Sequence, residues 1–425
     1  MTRKKLAKVL LLLAINLVIL VSLSGVQIGA EVKPVTITDE GTYFNAVLDF
    51  RGGLTHRQMG VEYARQILKS VPEYEALMDS YITEMTMMEE YYQMGLGVAR
   101  LLKSKIPQDY LDEIEGMAQV FSGGVTSLRG DQKLSLDEVF FFNLLPDIAR
   151  PAHCSALGVF DWASATHQVM AGRNLDWPGG SQNQACKLQA VVTIREKCKT
   201  LYLIGYLGFQ GVISGVNEYG VYAGILNSDI ATPYTPNDKN SYPMDLRYAL
   251  ENRTTVNGVA NYMTDSSRNY TYDHLIFLAD PRTAGVVENN FNGSPTVRRA
   301  LRTSTSLLNP GVSWWFPKAV ATVNSFILAG NYNNHTQDPQ NTARWSSFQH
   351  AMLTKGPVIT REELKEIMSF DNGDGPGLFE TGDIYNVYTQ QSMVFTPETM
   401  RLDIYFHPRQ GGLDSDPIYQ TIKLK

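Results

Sequence analysis

Between Thr55 and Arg150 apolar residues recur at spacings of three and four, whereas after Cys154 they gather into short runs broken by Gly, Asn and Asp. The first texture predicts amphipathic helices and the second predicts β-strands. Two helix starts carry capping boxes, Thr55-His-Arg-Gln58 and Ser135-Leu-Asp-Glu138, in which a hydroxyl and the residue three positions on satisfy orphan backbone donors. Pro107 opens another helix, with Tyr110, Ile114, Met117 and Val120 on one face. Strands are expected at Gln168 to Gly172, Ala190 to Ile194, Leu201 to Gly208, Gly211 to Ser214 and Val221 to Leu226. Helices at Pro243 to Glu251 and Thr254 to Met263 come next, then strands at Leu275 to Ala279 and Gly285 to Glu288. A capped helix from Thr360, a Gly-rich loop at Asp371 to Gly377 and a strand pair, Gln391 to Phe395 and Arg401 to Phe406, close the pattern. Helices first and sheets later imply an α+β arrangement of helices on antiparallel sheets.

Length changes this picture little, because 425 residues suit one large domain or two packed lobes. A net charge of −6, with no dense Lys/Arg stripe after residue 10, gives no nucleic-acid footprint. The N-terminus is distinct: Arg3, Lys4, Lys5 and Lys8 precede an apolar run from Val9 to Leu23, with small residues at Ser24, Gly25 and Ala30. That is the layout of a secretory signal over residues 1–30, shorter than the roughly 20 residues a spanning helix needs. Export with cleavage after Ser24 or Ala30 is expected, into a secreted or lysosome- or vacuole-like setting. An uncleaved segment would leave the protein membrane-anchored. Asn252, Asn269, Asn292 and Asn334 each begin an Asn-x-Ser/Thr glycosylation acceptor, in keeping with export.

Of the three cysteines, Cys186 and Cys198 bracket a strand-like run at a spacing suited to a hairpin, and an exported protein could oxidise them to a disulfide. Cys154 is then left over and is considered as a reactive thiol. Other chemistries lack their residues. There is no Gly-x-Ser-x-Gly elbow and no His-Glu-x-x-His helix, and the seven His residues show no ligand spacing, so neither a metal nor a cofactor is expected. Asp371-Asn-Gly-Asp-Gly375 has Gly373 where a calcium loop needs a carboxylate, and reads as a turn.

What remains is His153-Cys-Ser-Ala-Leu-Gly158 followed by Met170-Ala-Gly-Arg-Asn-Leu-Asp-Trp177. If these are neighbouring antiparallel strands, about 4.8 Å apart, Cys154 at the start of one meets Arg173 and Asp176 at the end of the other. A guanidinium favours a thiolate. A free α-amine on the same residue can take the thiol proton and pass it to a leaving amine, with Asp176 orienting it. An Arg-x-x-Asp pair beside a strand is also the pattern of a structural ion pair.

These segments, with Asn217-Glu-Tyr-Gly-Val-Tyr-Ala-Gly-Ile-Leu-Asn227 and Ser392-Met-Val-Phe-Thr-Pro-Glu-Thr-Met-Arg-Leu-Asp-Ile-Tyr-Phe406, resemble the linear-amide hydrolase superfamily. That superfamily of N-terminal-nucleophile (Ntn) enzymes includes penicillin acyltransferase, choloylglycine hydrolase, acid ceramidase and N-acylethanolamine acid amidase. Thr55-His-Arg-Gln-Met-Gly-Val-Glu-Tyr-Ala64 and the Pro107 to Ala118 segment look most like the penicillin acyltransferase branch. The resemblance implies a four-layer αββα sandwich at 154–425, a mainly helical pro-segment at 31–153, and self-cleavage between His153 and Cys154, with the two fragments remaining associated. By motif, Cys154 matches the nucleophile, Arg173 the residue beside the thiol, Asp176 the partner of the freed amine and Asn227 an oxyanion-side donor. Asn324 matches a second such Asn, with Asn331 as its rival, and Arg344 a later arginine supporting the site. The substrate so implied is a small N-acyl amide, and the product fate is hydrolysis or acyl transfer. Trp177, Phe209, Tyr219 and Tyr222 are expected to wall an apolar acyl pocket. A phospholipase B-like acyl hydrolase, which shares the Cys-Ser-Ala-Leu stretch, and a non-catalytic exported binding protein of this fold are the alternatives.

Overall fold

The computed structural model describes residues 33–149, 153–228, 236–291, 299–331, 335–373, 375–378 and 381–424. The signal segment and the acceptors Asn292 and Asn334 lie outside them. Among the described residues no helix is long and apolar enough to cross a membrane. Pro34–Lys425 is one compact unit.

In chain order the segment before Cys154 holds β1 (Val35–Asp39) and β2 (Phe44–Asp49), then α1 (His56–Ser70), α2 (Tyr74–Thr86), α3 (Glu89–Lys103), α4 (Gln108–Ala118), α5 (Leu136–Asn143) and α6 (Leu145–Ile148). The segment that follows begins with β3 (His153–Val159), β4 (Met170–Asp176), β5 (Gln189–Glu196), β6 (Lys199–Tyr206), β7 (Ser214–Asn217) and β8 (Tyr222–Asn227). Helices α7 (Tyr242–Asn252) and α8 (Val256–Met263) precede β9 (His274–Asp280), β10 (Thr283–Asn289), β11 (Arg299–Arg302) and β12 (Ala319–Thr322). Last come α9 (Pro339–Lys355), α10 (Arg361–Met368), β13 (Thr389–Thr396), β14 (Arg401–Phe406) and β15 (Gln420–Lys423).

The strands form a nine-stranded sheet, β1-β2-β5-β6-β7-β8-β9-β10-β11, and a six-stranded sheet, β12-β3-β4-β13-β14-β15. Neighbours are antiparallel except β2 and β5, which run parallel. The sheets meet through β3 with β8 and β10 with β12, while α7 and α8 cover the outer face of the larger sheet and α9 and α10 that of the smaller. This is the αββα order. Because every central strand is covered on both faces, β3, β4 and β9 are buried almost throughout. Hence β9 reads as a continuous apolar run from Leu275 to Ala279 rather than an alternating one. One core lies between the sheets and around the N-terminal helices, and a second, with Leu157, Met170 and Val394 against Trp345, Phe348 and Leu364, lies under α9 and α10.

Both capping boxes form, at Thr55 and Ser135, and a third at Thr360. The expected strand at Gly211 to Ser214 starts instead at Ser214, because the loop before it is tied to the head of α7 by Val212 N donating to Pro243 O. Among the described residues before Cys154, 33–149 are not helical alone: β1 and β2 extend the larger sheet, so the two sides of residue 153 share one core. The Cys186–Cys198 disulfide does not form, and all three cysteines are free thiols. The spacing spans β5 and not a turn: Cys186 precedes that strand and Cys198 follows it at the hairpin tip, so an extended strand holds them apart.

Candidate active site

Strands β3 and β4 pair antiparallel with His153 opposite Asp176, Cys154 opposite Leu175 and Ala156 opposite Arg173. Which way each side chain points follows from the glycines between them. A Cβ on Gly158 would strike Ala284 and Phe277 of the larger sheet, and one on Gly172 would strike Met368 and Leu364 of α10. Side chains alternate along a strand. Cys154 and Arg173 therefore face the interior between the sheets, one step diagonal to each other. The opposing surface is shaped to receive the arginine: at Gly224 of β8 a Cβ would lie 2.5 Å from Arg173 Cδ. That close approach explains the glycine within the Tyr-Ala-Gly-Ile-Leu-Asn motif.

Arg173 is fully buried. Its Nη1 donates to Ser214 Oγ at 2.6 Å, and its Nη2 donates to the Ile225 carbonyl at 2.6 Å and faces Cys154 Sγ at 3.8 Å. Asp176 accepts from Asn386 Nδ2 at 2.9 Å and Thr389 Oγ1 at 2.8 Å. Burial pushes its carboxyl up to about 6, against the pull of Arg344 and of these two donors. The Cys154 thiol is pushed up to about 11, again by burial first, with Arg173 opposing and Asp176 reinforcing. The expectation that Arg173 would favour the thiolate holds for its sign alone. At 1% exposure Cys154 loses more from desolvation than one shared guanidinium returns.

The main chain of Cys154 is held on both sides. Its N–H donates to Asn324 Oδ1 at 2.9 Å, and its carbonyl accepts from Arg344 Nη1 at 3.0 Å. Asn324 has its amide orientation fixed, since Oδ1 also accepts from Arg344 Nη2 at 3.0 Å while Nδ2 donates to the Asn227 carbonyl at 2.8 Å. Asn227 is buried, and its own Nδ2 has no partner among the described residues. Thus Cys154, Arg173, Asp176, Asn227, Asn324 and Arg344 come together. Asn331 does not: its Nδ2 donates to Glu288.

Several partners were missed in the sequence. Asn341 accepts from both Asn324 N and Arg344 Nη2, one turn before Arg344 on α9. That helix carries a legible start, Asp338 as N-cap and Pro339 at its first position, and Gly356 at its end. Ser325 Oγ and His335 Nδ1 lie 2.5 Å apart beside Asn324, and burial takes His335 down to about 4, so it is neutral near pH 7. Ser214, Asn386 and Thr389 had no spacing signal. Among the described residues no group of three or more His, Cys, Asp and Glu side chains is placed to hold a metal ion.

Beside the cluster lies a narrow apolar cavity of about 20 Å3, walled by Met78, Tyr81, Phe142 and Leu145 from before Cys154 and by Trp177, Tyr206 and Phe209 from after it. Trp177 is fixed by donating from Nε1 to Tyr81 Oη at 2.5 Å. Two of the four expected wall aromatics do not line it. Tyr222 is stacked on Phe395 between the sheets with its phenol beside Ser214 and Arg173, and Tyr219 sits on a turn at 55% exposure.

No protein-family model and no curated protein sequence matches this chain. Among solved structures it is similar to the N-acylethanolamine-hydrolyzing acid amidase ortholog of Caenorhabditis elegans, at 14% identity over 57% of this chain and 93% of that one, with a TM-score of 0.38. It is similar to the conjugated bile acid hydrolase of Clostridium perfringens, at 14% identity over 64% and 97% of the two chains, TM-score 0.36. A third likeness, to penicillin V acylase from Agrobacterium tumefaciens, has 12% identity over 60% and 83%, TM-score 0.36.

Proposed function

We propose that the protein is an exported cysteine amidase of the N-terminal-nucleophile type, acting on a non-peptide linear amide. The observation that carries this reading is the set of bonds on Cys154. Its sulfur faces Arg173, its N–H is received by Asn324 Oδ1 and its carbonyl by Arg344. A buried structural cysteine needs only packing. Here the backbone nitrogen already has a side-chain acceptor, with a carboxylate at the adjoining strand end, where a freed α-ammonium would need both.

In the uncut chain no base stands on Cys154 itself, because its nitrogen is an amide and its thiol is held protonated. Attack of Sγ on the His153 carbonyl breaks the His153–Cys154 peptide bond, the thiol proton passing to the departing nitrogen, so that a thioester forms and the Cys154 α-amine is freed. Water then hydrolyses the thioester, releasing a carboxylate at His153 and the Cys154 thiol. That amine, ordinarily titrating at about 7.7–8.0, takes the thiol proton. The thiolate adds to the substrate carbonyl, and Asn227 Nδ2 is the donor offered to the oxyanion, an interaction typically worth about 3–4 kcal/mol. The ammonium then protonates the leaving amine, and water or a second amine resolves the thioester. The acyl group enters the cavity walled by Trp177 and Phe209, and a chain longer than a water or two requires its walls to give.

Intact mass of the purified protein tests the reading. Two fragments are expected, the second starting at Cys154, with Cys154→Ala remaining one chain at that junction. Cleavage at His153–Cys154 in the Ala variant, or no N-acyl amide hydrolysis by the cut protein, overturns it.

A further inference from the structure

Asn341 bonds the two groups that hold the Cys154 main chain. It sits three residues before Arg344 on α9, a spacing that puts both on one face, and it is 1% exposed. Its Oδ1 accepts from Asn324 N at 3.0 Å and from Arg344 Nη2 at 2.9 Å. Its Nδ2 donates to Asp338 Oδ2 at 3.2 Å, while Asp338 Oδ1 caps the helix by accepting from the Gln340 and Asn341 N–H groups. The helix cap thereby fixes which end of the Asn341 amide faces the site, and the oxygen at that end fixes Arg344.

The place of that guanidinium matters to a freed amine. Arg344 Nη2 and Cys154 N donate to one oxygen, Asn324 Oδ1, so they stand no more than about 6 Å apart, a range within which one positive charge disfavours a second. The Cys154 ammonium is thus made more acidic, and more of the amine is the free base that takes the thiol proton. On β4, Arg173 beside the sulfur adds to this effect, and Asp176 opposite His153 opposes it. At the head of α9, Asp338 also opposes it, at the remove of the Asn341 amide. His153 and His335 are uncharged near pH 7, since burial takes both down to about 4. The carboxylate that cleavage creates at His153 is common to every variant compared below.

We propose that Asn341 is a positioning residue that sets the basicity of the Cys154 α-amine by holding the Arg344 guanidinium beside it. This rests on the amidase reading above and on the cut before Cys154. Protein labelled with 15N-cysteine, once cut, carries its cysteine amine at Cys154 alone, while Cys186 and Cys198 stay amides, so NMR titrates that amine without any substrate. Asn341→Ala is expected to raise the midpoint by about 0.5–1 pH units, to move the acid limb of kcat/KM with it, and to lower kcat roughly 10- to 100-fold. Asn341→Asp, which restores the acceptor, should recover most of that kcat while its added charge keeps the midpoint high. In an Arg344→Met background, Asn341→Ala should raise the midpoint no further. Lost urea stability with an unmoved midpoint makes Asn341 structural only and overturns the proposal, as does a rise that adds in full to that of Arg344→Met. If Asn341→Ala does not fold or is not cut, Asn341→Asp decides, and a midpoint at the parent value overturns the proposal. A cut parent that hydrolyses no amide sinks the amidase reading and leaves the NMR titration to judge Asn341, whereas an uncut parent sinks both.

Discussion

Removing the charge of Glu113 tests how the segment before Cys154 is joined to the segment after it. Glu113 on α4 and Arg247 on α7 are each 1% exposed and meet as a two-pronged pair, Nη1 to Oε2 at 2.6 Å and Nη2 to Oε1 at 3.0 Å. His56 Nδ1 adds a third contact to Glu113 at 2.8 Å. Burial would raise the Glu113 carboxyl, but Arg247 and His56 outweigh it and hold the group below its ordinary range. Breaking a buried pair by removing one partner costs about 3–5 kcal/mol. Glu113→Gln leaves Arg247 its bond to Glu251 Oε1 at 2.9 Å and its seat over the Tyr110 ring, so the low end, about 3 kcal/mol, is expected. Urea unfolding in the Cys154→Ala background isolates this cost from any cut of the chain. In cleaved protein the same pair is part of the non-covalent joint, and the fragments of Glu113→Gln should separate at lower denaturant. A double-mutant cycle with Arg247→Met should show a coupling above about 1 kcal/mol. A loss under about 1 kcal/mol that simply adds to that of Arg247→Met would mark the pair as no stronger than a surface bridge and refute the reasoning.

Asp147 is fully buried on α6, and desolvation pushes its carboxyl up to about 7. A carboxyl raised by folding binds its proton more tightly in the native state, so stability is highest below the unfolded value of about 3.9 and falls as pH rises through about 7. Asp147→Asn should flatten that fall and exceed the parent above pH 7 by up to roughly 4 kcal/mol, and parallel stability profiles would reject this. Arg173→Met should slow alkylation of Cys154 at pH 8 and move its pH profile upward, since the guanidinium is the leading force opposing burial at that thiol; an unmoved profile assigns Arg173 a structural role only. Gly224→Ala should cost about 1–3 kcal/mol through overpacking and displace Arg173, lowering amide turnover more than stability, and parent turnover would show that the arginine has room elsewhere.

What the sequence disclosed about the site depended on how far each contact reaches along the chain. Cys154, Arg173 and Asp176 lie on strands joined by one short connection, so the order of apolar and polar residues is enough to bring them together. Asn324 is 170 residues from Cys154 and Arg344 is 190, and spacing says nothing at that range; a motif resemblance alone pointed to them. The helix that carries Arg344 had its own start and stop residues, Asp338-Pro339 and Gly356, so its position was locally legible even though its target was not. Ionisation was the least legible property. From residue types alone, an arginine beside a cysteine implies an acidic thiol, but burial is decided by the second sheet packed against the strand pair, and it reverses the sign of the shift. The same second sheet makes Gly224 intelligible: read as sequence it is one small residue in an apolar strand, and only the approach of Arg173 from the opposite layer gives it a reason. A nucleophile can therefore be located from the strand pair that carries it, whereas its proton affinity belongs to whatever closes over that pair. In this chain the cavity beside that pair is walled partly by residues on the far side of the expected cut. The reactivity of Cys154 and the retention of the N-terminal helices are for this reason one physical question, which the Glu113→Gln and Arg173→Met measurements approach from its two ends.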